Sequence, residues 1–135
     1  MTIDWKALRD AATDVRARAY APYSQFLVGA ALLGDDGRIF TGCNVENASY
    51  GLCICAERNA VFNAVAQGVR SFRAIALVST AAKPITPCGA CRQVLSEFRP
   101  SFEVRCYGQT GTEEHYTVDA LLPAGFDDSA LPSKP

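Results

Sequence analysis

Two short cysteine segments hold the residues best suited to chemistry, Cys55-Ala56-Glu57 and Pro87-Cys88-Gly89-Ala90-Cys91. Together they offer three thiolates and one carboxylate. Cys88 and Cys91 stand three positions apart, so on the first turn of a helix both sulfurs project to one side and can share a metal ion. Cys55, arriving from another part of the fold, makes a third ligand. Three protein ligands leave a tetrahedral zinc with one open position for water, the feature that separates a catalytic site from a closed structural one. Glu57, two residues from a ligand, is then the base expected for that water.

The remaining ionisable residues narrow the mechanism. The chain has a single histidine, His115, in the polar stretch Glu113-Glu114-His115-Tyr116, where a solvated surface position is expected. Mechanisms that need two histidines, or a histidine-based triad beside a histidine ligand, are closed to it, so a carboxylate must move the protons. Cys43, Cys53 and Cys106 lie in apolar or strand-like contexts and are expected to behave as small buried hydrophobes. Cys53 and Cys55 are two apart, and on an extended segment they point to opposite faces, which disfavours both binding one ion. A closed structural zinc module with Cys53 or Cys106 as fourth ligand stays open as an alternative. So does a redox role for Cys88-Gly89-Ala90-Cys91, although that leaves Cys55 and Glu57 without a purpose.

The ligands must be held by a framework that periodicity makes legible. Asp4 to Ala19 carry Trp5, Leu8, Ala12, Val15 and Ala19 at helical spacing, predicting an amphipathic first helix with Trp5 in the core. Ala21-Pro22-Tyr23-Ser24 ends it. Phe26 to Leu33 and Arg38 to Val45, separated by Gly34-Asp35-Asp36-Gly37, read as a hairpin of two strands, with Gly29 and Gly42 as candidates for a bulge or a close approach of backbone. Ile54 to Gln67 reads as a helix stopped at Gly68, with Cys55 and Glu57 in its first turn. Ala74 to Ser79 is a buried strand, Cys88 to Phe98 a third helix and Glu103 to Tyr107 another strand. Tyr116 to Val118 adds a short last strand, Asp119 caps a small helix through Leu122, and Leu131 to Pro135 is expected to fray. Strands alternating with helices predict a layered α/β sheet. Both cysteine segments thus fall at helix N-termini, where unpaired backbone donors and the helix dipole favour thiolates.

Composition sets the outer limits. A chain of 135 residues, 49% hydrophobic and 20% charged, fits one domain, residues 1–135, with a substantial core. The formal charge of -1, without a lysine or arginine run, disfavours nucleic acid as a partner. The longest apolar run is far too short to span a membrane, and the N-terminal residues lack the pattern of a signal peptide, so a cytoplasmic protein with reduced thiols is expected.

The Cys-x-Glu and Pro-Cys-x-x-Cys pair is the pattern of zinc-dependent deaminases. With Phe26-Leu27-Val28-Gly29-Ala30-Ala31-Leu32, Asn44-Val45-Glu46-Asn47-Ala48 and Cys88-Gly89-Ala90-Cys91-Arg92-Gln93-Val94, the chain closely resembles the small, homotetrameric cytidine deaminases from about Tyr20 to Phe126. The resemblance implies a three-layer α/β/α fold with a central mixed sheet of about five strands and one Zn2+ per subunit, held by Cys55, Cys88 and Cys91. It implies hydrolytic deamination of cytidine and 2'-deoxycytidine in pyrimidine salvage, with Glu57 as proton shuttle. Asn44 and Glu46, an amide and a carboxylate suited to binding sugar hydroxyls, hold the ribose in matching enzymes. Phe26 resembles the aromatic lining the base pocket and Phe126 the one lent by a neighbouring subunit, with Tyr50 closing the pocket across an interface. Ala56 and Cys88 are implied to give backbone contacts to the ring, and Arg58 to contact the ligand sulfurs and offset their charge. Thr86 replaces the serine often found before Pro-Cys and keeps its hydroxyl. A deaminase of another cytosine-bearing compound is the nearest rival, and Asn44, Glu46 and Phe126 speak against it.

Overall fold

The apolar run after the first helix becomes an interior strand of a five-stranded sheet. In the computed structural model, which describes residues 2–132, the strands are β1 (Val28–Gly34), β2 (Ile39–Cys43), β3 (Phe72–Ser79), β4 (Glu103–Tyr107) and β5 (Glu113–Thr117). They lie in the order β2-β1-β3-β4-β5. β1 pairs antiparallel with β2 and β3, β3 runs parallel to β4, and β4 is antiparallel to β5, so the sheet is mixed. β1, and β3 from Ala74 to Val78, are apolar without interruption because both of their faces are covered.

Four helices provide the cover: α1 (Trp5–Arg16), α2 (Ala56–Ala66), α3 (Gly89–Ser96) and α4 (Val118–Leu121). Leu8 and Ala12 of α1 pack on Ala31, Ala74, Ala76 and Val78 of one face. Ala60, Val61 and Ala64 of α2, Leu95 of α3 and Leu121 of α4 join Ala30, Leu32, Ile75, Leu77 and Val104 on the other. Successive strand residues alternate between these two cores, and the result is the expected α/β/α layering. Trp5 sits half-buried at the rim of the α1 core, with the Arg105 guanidinium 4.3 Å from its ring centroid.

The ends of the elements reflect local chemistry. The Asp4 carboxylate accepts from Ala7 N at 3.0 Å and caps α1. Gly68, at φ 88, takes the left-handed conformation that stops α2. Two expectations for the last elements change, besides that of Trp5 in the core. β5 starts at Glu113 rather than Tyr116, because it is defined by pairing with β4 along an exposed edge and shows no apolar alternation of its own. The cap of α4 is Thr117, whose hydroxyl accepts from Ala120 N at 3.2 Å, while Asp119 lies inside the first turn. Of the tail expected to fray, Leu131 to Pro135, the last three residues lie outside the described residues. Among the described residues no helix is long and apolar enough to cross a membrane.

The seating of α2 on the sheet depends on one glycine. A Cβ on Gly42 of β2 would stand 2.3 Å from Ala60 N and 2.5 Å from Ala56 O, both backbone atoms of α2. The helix therefore rests directly on the strand, and Asn59 and Asn63 tie it down through bonds of 2.9 and 3.2 Å to the Cys43 and Thr41 carbonyls. Backbone cannot yield as a flexible side chain does. Gly42→Ala is expected to push α2 off β2, cost at least the ~1–3 kcal/mol typical of overpacking, and lower metal content; chemical denaturation and elemental analysis check both.

Candidate active site

Cys55 is the N-cap of α2 and Cys88 the N-cap of α3, both in extended conformation, and neither side chain makes a capping hydrogen bond. Their sulfurs are left free to face one another across the gap between the helix ends, 3.7 Å apart. Cys91, in the first turn of α3, completes a group whose sulfurs all lie within 4.8 Å of one another. Zinc–sulfur bonds of about 2.3 Å in a tetrahedron set sulfurs about 3.8 Å apart. The donor set fits zinc.

Among the described residues no fourth ligand joins this group. The Cys53 sulfur turns away to accept from Asn47 N at 3.4 Å, and Cys106 is buried in the core on the helix-rich face, where burial pushes its thiol up to about 12. The closed four-sulfur alternative thereby loses both of its candidates.

Charge around the sulfurs is strongly organised. Hydrogen bonding from the Cys91 thiol, with help from Arg58, brings Cys55 down to about 5. Cys91 is raised as the donor of that bond and by its burial. Arg58 approaches the Cys55 sulfur through Nη2 at 3.4 Å, which favours its own charged form, while its buried Nε has no partner. Glu57 is buried, 4% exposed, and burial pushes its carboxyl up to about 7, with the Cys55 charge adding to the effect. A carboxyl in that range can both take and return a proton near neutral pH.

Cys55, Glu57 and Cys88 open onto a cavity of about 230 Å³. Its lining includes the expected Phe26, Asn44, Cys55, Ala56, Glu57 and Cys88, and adds Val28, Ile85 and Thr86. Asn44 also organises the wall: its Oδ1 accepts from Val28 N and its Nδ2 donates to Phe26 O, each at 2.8 Å. Glu46 stands in an adjoining hollow of about 300 Å³ with Tyr23, Ser24, Tyr50 and Cys53. Its carboxylate accepts from the Ser24 hydroxyl and from the Tyr23 and Ser24 amides at 2.9 and 3.1 Å, which holds it below the usual carboxylate range. Phe126 is not in the lining; it is 63% exposed, and its carbonyl accepts from Gln93 Nε2 at 3.0 Å. A further hollow of about 480 Å³ is an apolar groove between α2 and α3 lined by Val61, Phe62, Val65, Ala66, Val94, Glu97 and Phe98, so it holds none of this chemistry.

Comparison with known proteins settles the family. The family model described as the cytidine and deoxycytidylate deaminase zinc-binding region matches residues 3–106, a span containing all three clustered cysteines and Glu57. The chain belongs to that deaminase family. A cytidine deaminase of Sporosarcina psychrophila is 51% identical over 117 residues, 86% of each chain. The crystal structure of a cytidine deaminase from Burkholderia pseudomallei is 53% identical, with a TM-score of 0.87, over 93% of this chain and 100% of that one. That of Mycobacterium tuberculosis is 44% identical, with a TM-score of 0.81, over 93% and 98%. The family's zinc and the sulfur cluster agree, so zinc is the metal this deaminase chain is built to carry.

Separating ligands from bystanders needs only a metal count. Cys91→Ser is expected to lose most of the zinc and Cys53→Ser to retain about one ion per chain, measured by elemental analysis after gel filtration.

Proposed function

We propose that this chain deaminates cytidine and 2'-deoxycytidine hydrolytically to uridine and 2'-deoxyuridine, releasing ammonia, as a step of pyrimidine salvage. The observation that carries this reading is the buried Glu57 beside the three-sulfur group, on a cavity with aromatic, aliphatic and amide walls. Cys55, Cys88 and Cys91 would hold zinc, which when bound makes water acidic enough to be an effective nucleophile at neutral pH. Glu57 takes a proton from the water as its oxygen bonds to C4, and passes it to N3. Glu57 then moves the second water proton to the 4-amino group, C4–N cleaves, and ammonia leaves as the C4 carbonyl forms. Arg58 offsets thiolate charge at Cys55. Phe26 lines the base pocket, the backbone at Ala56 and Cys88 faces the ring, and Asn44 and Glu46 receive the sugar.

The same reading includes a homotetramer in which Phe126 and Tyr50 close a neighbour's site. Phe126 is 63% and Tyr50 72% exposed, and Phe62 in the α2–α3 groove is 50% exposed, an unusual amount of large apolar side chain for water to cover. Free nucleoside fits better than nucleotide, because no lysine or arginine lines either hollow of the site. Six free cysteines fit a reducing, cytoplasmic setting.

The test is an absorbance assay comparing cytosine, cytidine, deoxycytidine and cytidine 5'-phosphate. The two nucleosides are expected to turn over, with base and monophosphate poor; comparable efficiency on the monophosphate contradicts the reading. Glu57→Gln is expected to keep its zinc and lose at least the roughly 10²–10⁴-fold of general acid–base catalysis. For assembly, light scattering should give four 14.5 kDa chains, and Phe126→Ala should raise KM or loosen the assembly more than it lowers thermal stability. An active single chain contradicts the shared site.

A further inference from the structure

Cys88 is delivered by a stretch with few hydrogen bonds. Residues 80–88 contain no helix or strand, and Pro84 and Pro87 have no amide hydrogen to give. Among the described residues, residues 83–87 have hydrogen bonds with only one partner, the side chain of Arg92. Arg92 follows Cys91 on α3, half-buried, and among the described residues it has no carboxylate partner. Its guanidinium instead serves three neutral acceptors. Nε donates to Pro87 O at 2.7 Å, Nη2 to Thr86 Oγ1 at 2.9 Å, and Nη1 to Leu121 O at the end of α4 at 3.0 Å. The next residue, Gln93, holds the Phe126 carbonyl of the same C-terminal segment at 3.0 Å.

We propose that Arg92 is a positioning residue for the zinc site, clamping the Thr86-Pro87 approach to Cys88 against the helix that carries Cys91 and locking both to the C-terminal segment. The planar fork makes this possible. Its five donors, spread over three nitrogens in fixed directions, satisfy three acceptors on two chain segments at once, a span that the compact ammonium of a lysine does not match. Without the clamp, the Cys88 sulfur is still attached to the N-cap of α3, but Thr86 and Pro87 lose their hydrogen bonds and the loop keeps only the packing of Ile85 and Pro87. A chelating group with a mobile arm releases its ion faster, since partial detachment precedes loss. Partners that orient metal ligands are typically worth about ten- to hundredfold in affinity or activity.

This inference rests on Cys55, Cys88 and Cys91 being the zinc ligands. It is tested on zinc-loaded protein by the rate of zinc transfer to a chromophoric chelator, and on cobalt-substituted protein by the thiolate-to-cobalt absorption band. Arg92→Met, which keeps the bulk of the side chain without its donors, is expected to release zinc about ten- to hundredfold faster and to shift the cobalt band. Arg92→Lys should restore only part of the difference, and Thr86→Val, which removes one acceptor, should accelerate release by a smaller factor. Parent release rates and an unchanged cobalt band in Arg92→Met overturn the proposal. Should Arg92→Met not fold, the same unchanged values in Arg92→Lys and Thr86→Val overturn it. A parent protein without stoichiometric zinc refutes the ligand assignment instead, so the two failures are distinguishable.

Discussion

Everything in the site depends on bringing two helix N-termini to one place with cysteine at each cap. α2 and α3 start from opposite sides of a small gap, and their cap sulfurs stand 3.7 Å apart. Three sulfurs this close repel one another once ionised and need a cation or donors among them. The helix ends supply unpaired backbone amides and positive dipole ends, and Arg58 adds a formal charge. This concentration of positive potential lets thiolates persist, and the divalent ion completes the balance.

The sheet provides the rigidity that such a cluster requires. α2 rests on Gly42 without an intervening side chain and is pinned to the edge strand by Asn59 and Asn63, so its first turn has little freedom. Glu57 is placed by that same turn. Its burial is therefore a consequence of helix seating, and its raised pKa comes from burial. α3 has no comparable seat on a glycine; its approach loop is fastened through Arg92 instead, and its far side through Gln93 to the Phe126 carbonyl. One arm of the site is fixed by close backbone packing and the other by a guanidinium clamp.

Much of this was legible in the chain because the decisive signals are local. Cysteine spacing, the glutamate two residues after a cysteine and the helical periodicity beyond it all lie within a few residues, and they located the helix ends and the cluster. The layered sheet was readable from strand-length apolar runs alternating with helices. What stayed hidden depends on contacts far apart in sequence. The polar stretch Glu113-Glu114-His115-Tyr116 reads equally as an edge strand or a turn, and only its pairing with β4 decides for the strand. Val28, Ile85 and Thr86 enter the cavity wall because three segments meet there. Arg92 looks like an ordinary helix arginine until Leu121, 29 positions away, is seen to accept from it. Asn44 and Glu46 read as free polar groups, yet each is already bonded to nearby chain, so any sugar contact must use their remaining capacity.

A site in which the three cysteines would hold zinc and leave one position for water has a spectroscopic signature that owes nothing to activity. X-ray absorption spectroscopy of the zinc-loaded protein reads it. A shell of three sulfurs at about 2.3 Å and one oxygen at about 2.0 Å is expected. A shell of four sulfurs, or one with fewer than three, would contradict the open three-cysteine site.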